Sequence, residues 1–253
     1  GGGGGGKLSR HHKITEAVAA LVDRHEVSKL KESHAREILA ALDDLKAVDP
    51  ACGSGAYLLG LLQEMIALYR SLYSEKLVKD PRSLYELKLR IISQNLYGVD
   101  IDPFATNIAM LRLWLSLTVE ADEPVALPNL DFKIETGDSL LAPDPQEMPD
   151  LFRGLLQASA DVLTMVKRQY FLAHGEEKEG YRRTIASEES RLRKKFAAEY
   201  DEGVVDWRIQ FAEAFANKLG GFDVVLANPP YVRQELISDS KGYLCQKLPC
   251  LYT

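Results

Sequence analysis

The chain has 253 residues, 46% of them hydrophobic, and a formal net charge of −6. That length suits one large domain, or a domain carrying an insertion, and no run approaches the ~18–20 apolar residues needed to span a bilayer. The mild acidity provides no general attraction for phosphates, so any contact with nucleic acid must rest on a local basic surface or lie elsewhere.

Residues 1–6 are all glycine and read as a linker or artefact outside the fold. The polar KLSRHHK that follows lacks the apolar stretch of a secretory leader, and residues 7–40 are expected to form an N-terminal helical segment. LKAVD (45–49) reads as a short buried strand, PACGSG as a turn, and AYLLGLLQEMIALYRSLY (56–73) has the apolar density of a packed helix. DPRSLYELKLRII is expected to open a helix at Asp80-Pro81, an N-cap followed by a first-turn proline. NLYGVDI (95–101) is a second strand, and DPFATNIAMLRLWLSLTV again starts a helix, with Asp102 as cap and Pro103 behind it. LDFKIETGDSL (130–140) is a third strand.

Residues 151–205 break this rhythm. DLFRGLLQASADVLTMVKRQYFLA is amphipathic, and EEKEGYRRTIASEESRLRKKFAAEY is charged with mixed sign. Together they read as an inserted helical hairpin, a solvated and salt-bridged excursion rather than a nucleic-acid arm. FDVVLAN (222–228) then forms a fourth, buried strand. Strands separated by helices imply crossover connections and a mostly parallel sheet covered on both faces, in the order 3-2-1-4. Cys52, Cys245 and Cys250 are an odd and sparse set that suits a reducing cytosol better than a disulfide scaffold. Without CxxC spacing or nearby His ligands they make no zinc site, and no metal site is expected.

In open α/β sheets, ligands bind beyond the carboxyl ends of the strands, and four motifs fall there. DPACGSG (49–55) places Gly53 and Gly55 where the backbone turns tightly and can approach a ligand. Leu58 stands where a dinucleotide fingerprint needs its third glycine, and no GK[ST] follows for a triphosphate. The turn therefore suits a ligand such as S-adenosylmethionine, or is simply a tight turn. Asp100, at the end of the second strand, can accept both hydroxyls of a ribose, or serve as a second capping residue beside Asp102. Ile101 can pack on an adenine face. Asp138 in GDSL can accept an adenine amino group, or belong to an ordinary Gly-Asp-Ser turn. NPPY (228–231) removes two backbone donors and presents rigid carbonyl acceptors beside the Asn228 side-chain oxygen. Two such acceptors can grip both hydrogens of an exocyclic amine, whose lone pair is otherwise delocalised into its ring. Tyr231 offers a flat face for stacking. The bland alternative is a proline-terminated edge strand.

LDDLKAVDPACGSGAYLLGLLQEM, NLYGVDIDPFATNIAMLRLWLSL, LPNLDFKIETGDSL and WRIQFAEAF…GGFDVVLANPPYVRQE together resemble the gamma class of adenine-N6 DNA methyltransferases. Within that class they are most similar to the large enzymes of type IIG restriction–modification and BREX-type phage defence. The resemblance implies an α/β, Rossmann-like S-adenosylmethionine-dependent core with a mostly parallel sheet, and a target adenine flipped out of double-stranded DNA. By position it implies a cofactor-binding half over 41–150, with Asp49, Pro50, Ala51, Gly53 and Gly55 at the methionine end of the cofactor. Asp100 takes the ribose, Ile101 the adenine face and Asp138 its amino group. The insertion occupies 151–205 and the catalytic-motif strand 206–253, where Asn228, Pro229, Pro230 and Tyr231 form the catalytic grip. NPPY also serves planar amide and guanine nitrogens, so a protein-glutamine or RNA methyltransferase is an alternative. The 179 positions between Asp49 and Asn228 (228 − 49) favour the large DNA enzymes. A non-catalytic cofactor-binding module of a defence complex is a third reading. The chain is expected to be a cytoplasmic fragment, incomplete at its C-terminus and without membrane partners. By itself it is expected to be inactive on DNA and prone to self-association through the exposed fourth strand.

Overall fold

The computed structural model of the chain describes residues 5–73, 78–79, 82–121, 123, 125–141, 150–195, 203–215 and 220–228. Four parallel strands, β1 (Ala47–Asp49), β2 (Leu96–Asp100), β3 (Ile134–Thr136) and β4 (Val224–Val225), form one sheet in the order β3-β2-β1-β4. This is the expected order, and all four strands are shorter than the sequence suggested. The helices are α1 (Gly5–Arg24), which takes in the end of the glycine run, α2 (Glu32–Asp44), α3 (Ala56–Leu72), α4 (Leu84–Gln94) and α5 (Pro103–Thr118). After β3 come α6 (Asp150–Leu172), α7 (Gly175–Lys195) and two single turns, α8 (Trp207–Gln210) and α9 (Ala212–Phe215). No helix among the described residues is long and apolar enough to cross a membrane.

Strand β2 shows how the sheet divides its two faces. Leu96 belongs to the core beneath α3, α4 and α5, whereas Tyr97 and Val99 point to the opposite core with Val48, Phe211 and Ala214. Gly98 returns to the first face, where a β-carbon would come within 2.9 Å of Leu58 Cδ1 and 3.0 Å of Ile134 Cδ1. The strand is thus buried on both sides, as a central parallel strand must be. On the second face Tyr97 meets Phe211 and Phe222 edge-on, with ring centroids 5.5 and 5.2 Å apart. Such pairs contribute about 0.5–1.5 kcal/mol each beyond burial. Strand β4 lies at the sheet edge among the described residues, and its Val225 is 62% exposed. The edge position is the one the order 3-2-1-4 implies; with one neighbour among the described residues, β4 is not buried as its apolar sequence alone suggests, and alternate side chains turn to solvent.

Helix α5 starts as the sequence implies, with the Asp102 carboxylate accepting from the Phe104 amide at 2.9 Å and Pro103 in the first turn. Helix α4 does not. Its N-cap is Ser83, three residues beyond Asp80, and Asp80 and Pro81 themselves lie outside the described residues. The reason is a capping box: Ser83 Oγ accepts from the Glu86 amide at 3.2 Å, and Glu86 Oε2 accepts from the Ser83 amide at 2.7 Å. That reciprocal pair satisfies two otherwise orphaned donors. Ser83→Ala is expected to lower unfolding stability by about 1 kcal/mol, read as a shift in the urea midpoint with unchanged slope.

The helical hairpin is present, but it is not a solvated excursion. Leu156, Ala160, Leu163, Val166 and Tyr170 of α6 form a core with Ile185 and Leu192 of α7 and with Ile209 and Ala212 of α8 and α9. Surface pairing survives on the outer side, as in Arg191–Glu188 at 2.6 Å, and α7 carries Glu176 and Glu177 at its start and Arg193, Lys194 and Lys195 at its end, matching its dipole. The return segment closes on the body of the protein: the Asp138 amide donates to Gly203 O at 2.7 Å and the Val205 amide to Asp138 O at 2.9 Å. These bonds add one parallel bridge, Asp138 with Val204, beyond β3.

Candidate functional site

A parallel sheet delivers every strand to the same end. Asp49 closes β1, Asp100 closes β2, Asp138 follows β3 and Asn228 follows β4, so the segments singled out in the sequence share one rim. Asp49 is 1% exposed, and its Oδ1 accepts from the Ala51 amide at 3.1 Å, which turns the chain through Pro50. Burial pushes its carboxyl upward, the Ala51 bond opposes this, and the nearby Asp100 charge adds to the rise. Two carboxylates close together at a strand end favour a site that receives hydrogen-bond donors.

The glycine turn is set by two positive φ angles, +51° at Gly53 and +79° at Gly55, which only glycine adopts without strain. The two glycines do different work. A β-carbon on Gly53 would meet nothing within 4 Å, so the loop opens onto free space there. One on Gly55 would lie 2.9 Å from Ala109 Cβ. Gly55 therefore permits the start of α3 to press against α5, a packing role the sequence did not reveal.

Asp100 is the brace of the site. Its Oδ2 accepts from the Gly53 amide at 2.7 Å and its Oδ1 from the Asp102 amide at 3.0 Å. It thus ties the β1 loop to the β2 loop and supports the start of α5, and each oxygen keeps lone-pair capacity for a ligand hydroxyl. Ile101, beside it, is 69% exposed, an apolar surface facing solvent at a strand end. Phe104, 71% exposed in the first turn of α5, is a second such surface and was missed because a helix-start aromatic reads as core.

Asp138 sits in a turn, with Oδ1 accepting from the Leu140 and Leu141 amides at 2.8 and 3.2 Å. Its Oδ2 has no hydrogen-bond partner among the described residues and is open to a donor. Its neighbour Ser139 donates from Oγ to Pro50 O at 2.9 Å, and Trp207 Nε1 donates to Ser139 O at 3.0 Å. Those two bonds join the β1 loop, the β3 loop and the end of the insertion. Arg112 Nη1 donates to Ser54 O and Oγ at 3.3 and 3.2 Å, holding the glycine turn from α5. Neither Ser139 nor Arg112 carries a local sequence signal, because each acts across many residues. Cys52 is buried beneath the turn, and burial with the Asp49 and Asp100 charges pushes its thiol up to about 12, so it packs as a neutral group.

Strand β4 approaches the same rim. The Leu226 amide donates to Val48 O at 2.9 Å, and Asn228 stands exposed two residues on. Leu226 also lines a cleft of about 450 Å³ with Ala56, Tyr57, Gly60 and Leu61 at the start of α3, a size within the range for small-molecule sites. Pro229, Pro230 and Tyr231 lie outside the described residues, as do Cys245 and Cys250. The arrangement has room beside Gly53, free acceptor capacity on Asp100 and Asp138, and an exposed apolar face at Ile101. It fits a cofactor bearing vicinal hydroxyls and a planar amine-bearing ring.

The chain is similar to known proteins. Residues 94–250 match the family model of the Eco57I restriction-modification methylase, and residues 24–125 match that of the MmeI DNA-methyltransferase domain. The chain is 32% identical over 181 residues to the "Putative type II restriction enzyme and methyltransferase RM.MjaORFECS2P" of Methanocaldococcus jannaschii, a match covering 68% of this chain and 15% of that protein. It is 34% identical over 71 residues to the adenine-specific methyltransferase PglX of Streptomyces coelicolor, covering 28% of this chain and 5% of that protein. The matches thus span only a small part of either relative's length. With the first family model extending over well more than half of it, the chain belongs to the Eco57I restriction-modification methylase family.

Proposed function

We propose that this chain is the catalytic core of an enzyme that methylates the exocyclic N6 of adenine in double-stranded DNA, using S-adenosylmethionine, within a restriction–modification or phage-defence protein. The observation that carries the reading is the convergence of the Asp49–Gly55 turn, Asp100 and Asn228 at the carboxyl ends of three adjacent strands, with Gly53 and Asp100 in direct contact at 2.7 Å. Family membership and an adenine-specific relative support it.

When bound, S-adenosylmethionine would supply an electrophilic sulfonium methyl group, its S–CH3 bond breaking as the N–CH3 bond forms and neutral S-adenosylhomocysteine leaving. Asp49, Pro50, Ala51, Gly53 and Gly55 hold its methionine end, Asp100 its ribose, Ile101 the adenine face and Asp138 Oδ2 the adenine amino group. Asn228 Oδ1 and the Pro229 carbonyl accept the two hydrogens of the target amine. That grip draws the nitrogen toward a pyramidal geometry and localises its lone pair for attack. Pro230 rigidifies the segment, and Tyr231 stacks on the flipped base. The alkylated nitrogen is cationic and sheds its proton to solvent, so no strong base is required.

The test is methyl-labelled S-adenosylmethionine supplied to the full-length protein with duplex DNA, RNA and protein substrates. Label recovered as N6-methyladenine from DNA is expected. Label in RNA or in glutamine replaces the substrate, and binding without transfer makes the fold a non-catalytic module. Asp100→Ala is expected to weaken S-adenosylmethionine binding by roughly 1–3 kcal/mol, the scale of a lost charge-assisted hydrogen bond. Calorimetry reads this directly, and unchanged affinity removes Asp100 from the cofactor site.

A further inference from the structure

At the opposite end of the sheet, where the strands begin, lies a second cavity of about 440 Å³ between the sheet and α6. We infer that this cavity is a binding site for a small phosphate ester, held by Lys46, Lys133 and Arg168. The inference does not depend on the methyltransferase reading.

The charges lining the cavity do not cancel. Arg90 is paired with Asp43, and Lys167 with Glu213 at 3.4 Å. The remaining cations are Lys46 ahead of β1, Lys133 ahead of β3 and Arg168 on α6. None forms an ion pair with a carboxylate among the described residues: Lys46 Nζ donates only to the Asp44 backbone oxygen at 3.3 Å, and Lys133 Nζ lies 3.7 Å over the Tyr97 ring. The remaining acids, Asp44 and Glu86, are exposed, and Glu86 is engaged in the α4 cap. Burial holds the Lys133 amine down at about 7; Glu213 opposes this, and Lys167, Lys46 and Arg168 add to the fall. Lys46, Lys133 and Arg168 line this one cavity. The wall carries five basic side chains against the acids Asp43, Asp44, Glu86 and Glu213, and a concave wall with three cations outside any ion pair among the described residues favours an anion.

The other walls restrict the class. Tyr97, Phe132 and Phe171 give the cavity aromatic sides, and its volume falls within the range for small-molecule sites. Its enclosure against the sheet suits a compact ligand with a phosphate and a planar body better than a duplex, which reads extended basic surfaces. The site is separated from Asp49, Asp100 and Asn228 by the length of the strands.

Uridine monophosphate, inorganic phosphate and uridine are suitable probes, since none presents the adenosine of the proposed cofactor. Calorimetry on the whole chain is expected to show one site for uridine monophosphate, weaker binding of phosphate, and none of uridine. Lys133→Met and Arg168→Gln should each reduce uridine monophosphate affinity roughly tenfold, the cost of one charge-assisted contact, without changing S-adenosylmethionine affinity. Acetic anhydride labelling read by mass spectrometry checks the unaltered protein: uridine monophosphate is expected to shield Lys133 while leaving Lys29 reactive. The assignment is overturned by absence of binding at millimolar ligand, by undiminished binding in both variants, by competition with S-adenosylmethionine, or by shielding of Lys133 by duplex DNA alone.

Discussion

Asn228→Ala in the full-length protein is expected to reduce methyl transfer to duplex DNA by at least roughly 100-fold, the scale for losing one preorganised polar contact to a reacting centre. S-adenosylmethionine affinity should stay close to that of the parent. The separation follows from where the residue stands. Asn228 lies past the last paired residue of β4, exposed, beyond the Leu226 amide that anchors the strand to Val48. It carries no core packing, so its loss should leave stability within about 0.5 kcal/mol, as for other surface substitutions. In the proposed mechanism its amide faces the target amine. The cofactor-side contacts proposed above belong to Gly53 and Asp100, which meet each other at 2.7 Å. The measurement is labelled methyl transfer at saturating cofactor, with calorimetry on the same preparation. Turnover above about a tenth of the parent rate would remove Asn228 from the chemistry, and loss of cofactor binding would move it to the other half of the site.

The sheet was legible because its signals are local. Each strand ends in a polar or glycine turn, each helix that follows carries its own cap or apolar density, and crossover connections restrict the order. Asp102-Pro103 worked as a helix start for that reason. Asp80-Pro81 failed as one because a stronger local signal, Ser83 with Glu86, stands three residues on and satisfies two donors at once. The burial of α6 was legible only in part. Its stripe from Leu156 to Tyr170 required a partner, and half of that partner is α8 and α9, single turns too short to show a period. In the candidate site, the acidic residues at strand ends could be read from position alone. The link from Asp100 to the Gly53 amide and the link from Ser139 to Pro50 span 47 and 89 residues, and no local pattern encodes them.

Lys167→Ala is expected to destabilise the chain by about 3–5 kcal/mol, the cost of removing one partner from a buried ion pair. Lys167 is 9% exposed, and its ammonium donates to Gln210 O, lies 3.4 Å from Glu213 and 3.9 Å from Glu189, and approaches the Phe132 ring at 5.7 Å. Burial opposes its charge, but Glu213, Glu189 and Glu135 outweigh that and hold its pKa above the ordinary lysine value. The amine is thus the common counterion of three carboxylates where the insertion meets the sheet. Two of them are already strained toward neutrality. Burial, helped by Glu189, lifts Glu135 to about 8 against the pull of Lys167, and burial lifts Glu189 against the pull of Lys167 and Arg193. A carboxyl whose folded pKa lies above its unfolded value binds more protons in the native state, so its contribution to stability is present at low pH and lost as pH rises through the folded pKa. For Glu135 that window runs from 4.5 to about 8. Removing Lys167 raises both carboxyls further, so the deficit of the variant should be smaller at pH 5, where protonation relieves them, and larger at pH 8. Urea unfolding of parent and variant at both values is the measurement. An equal loss at the two pH values would mean that Lys167 acts by packing and not by charge, and a loss below about 1 kcal/mol, the range of an exposed pair, would show that the insertion is held by its apolar core alone.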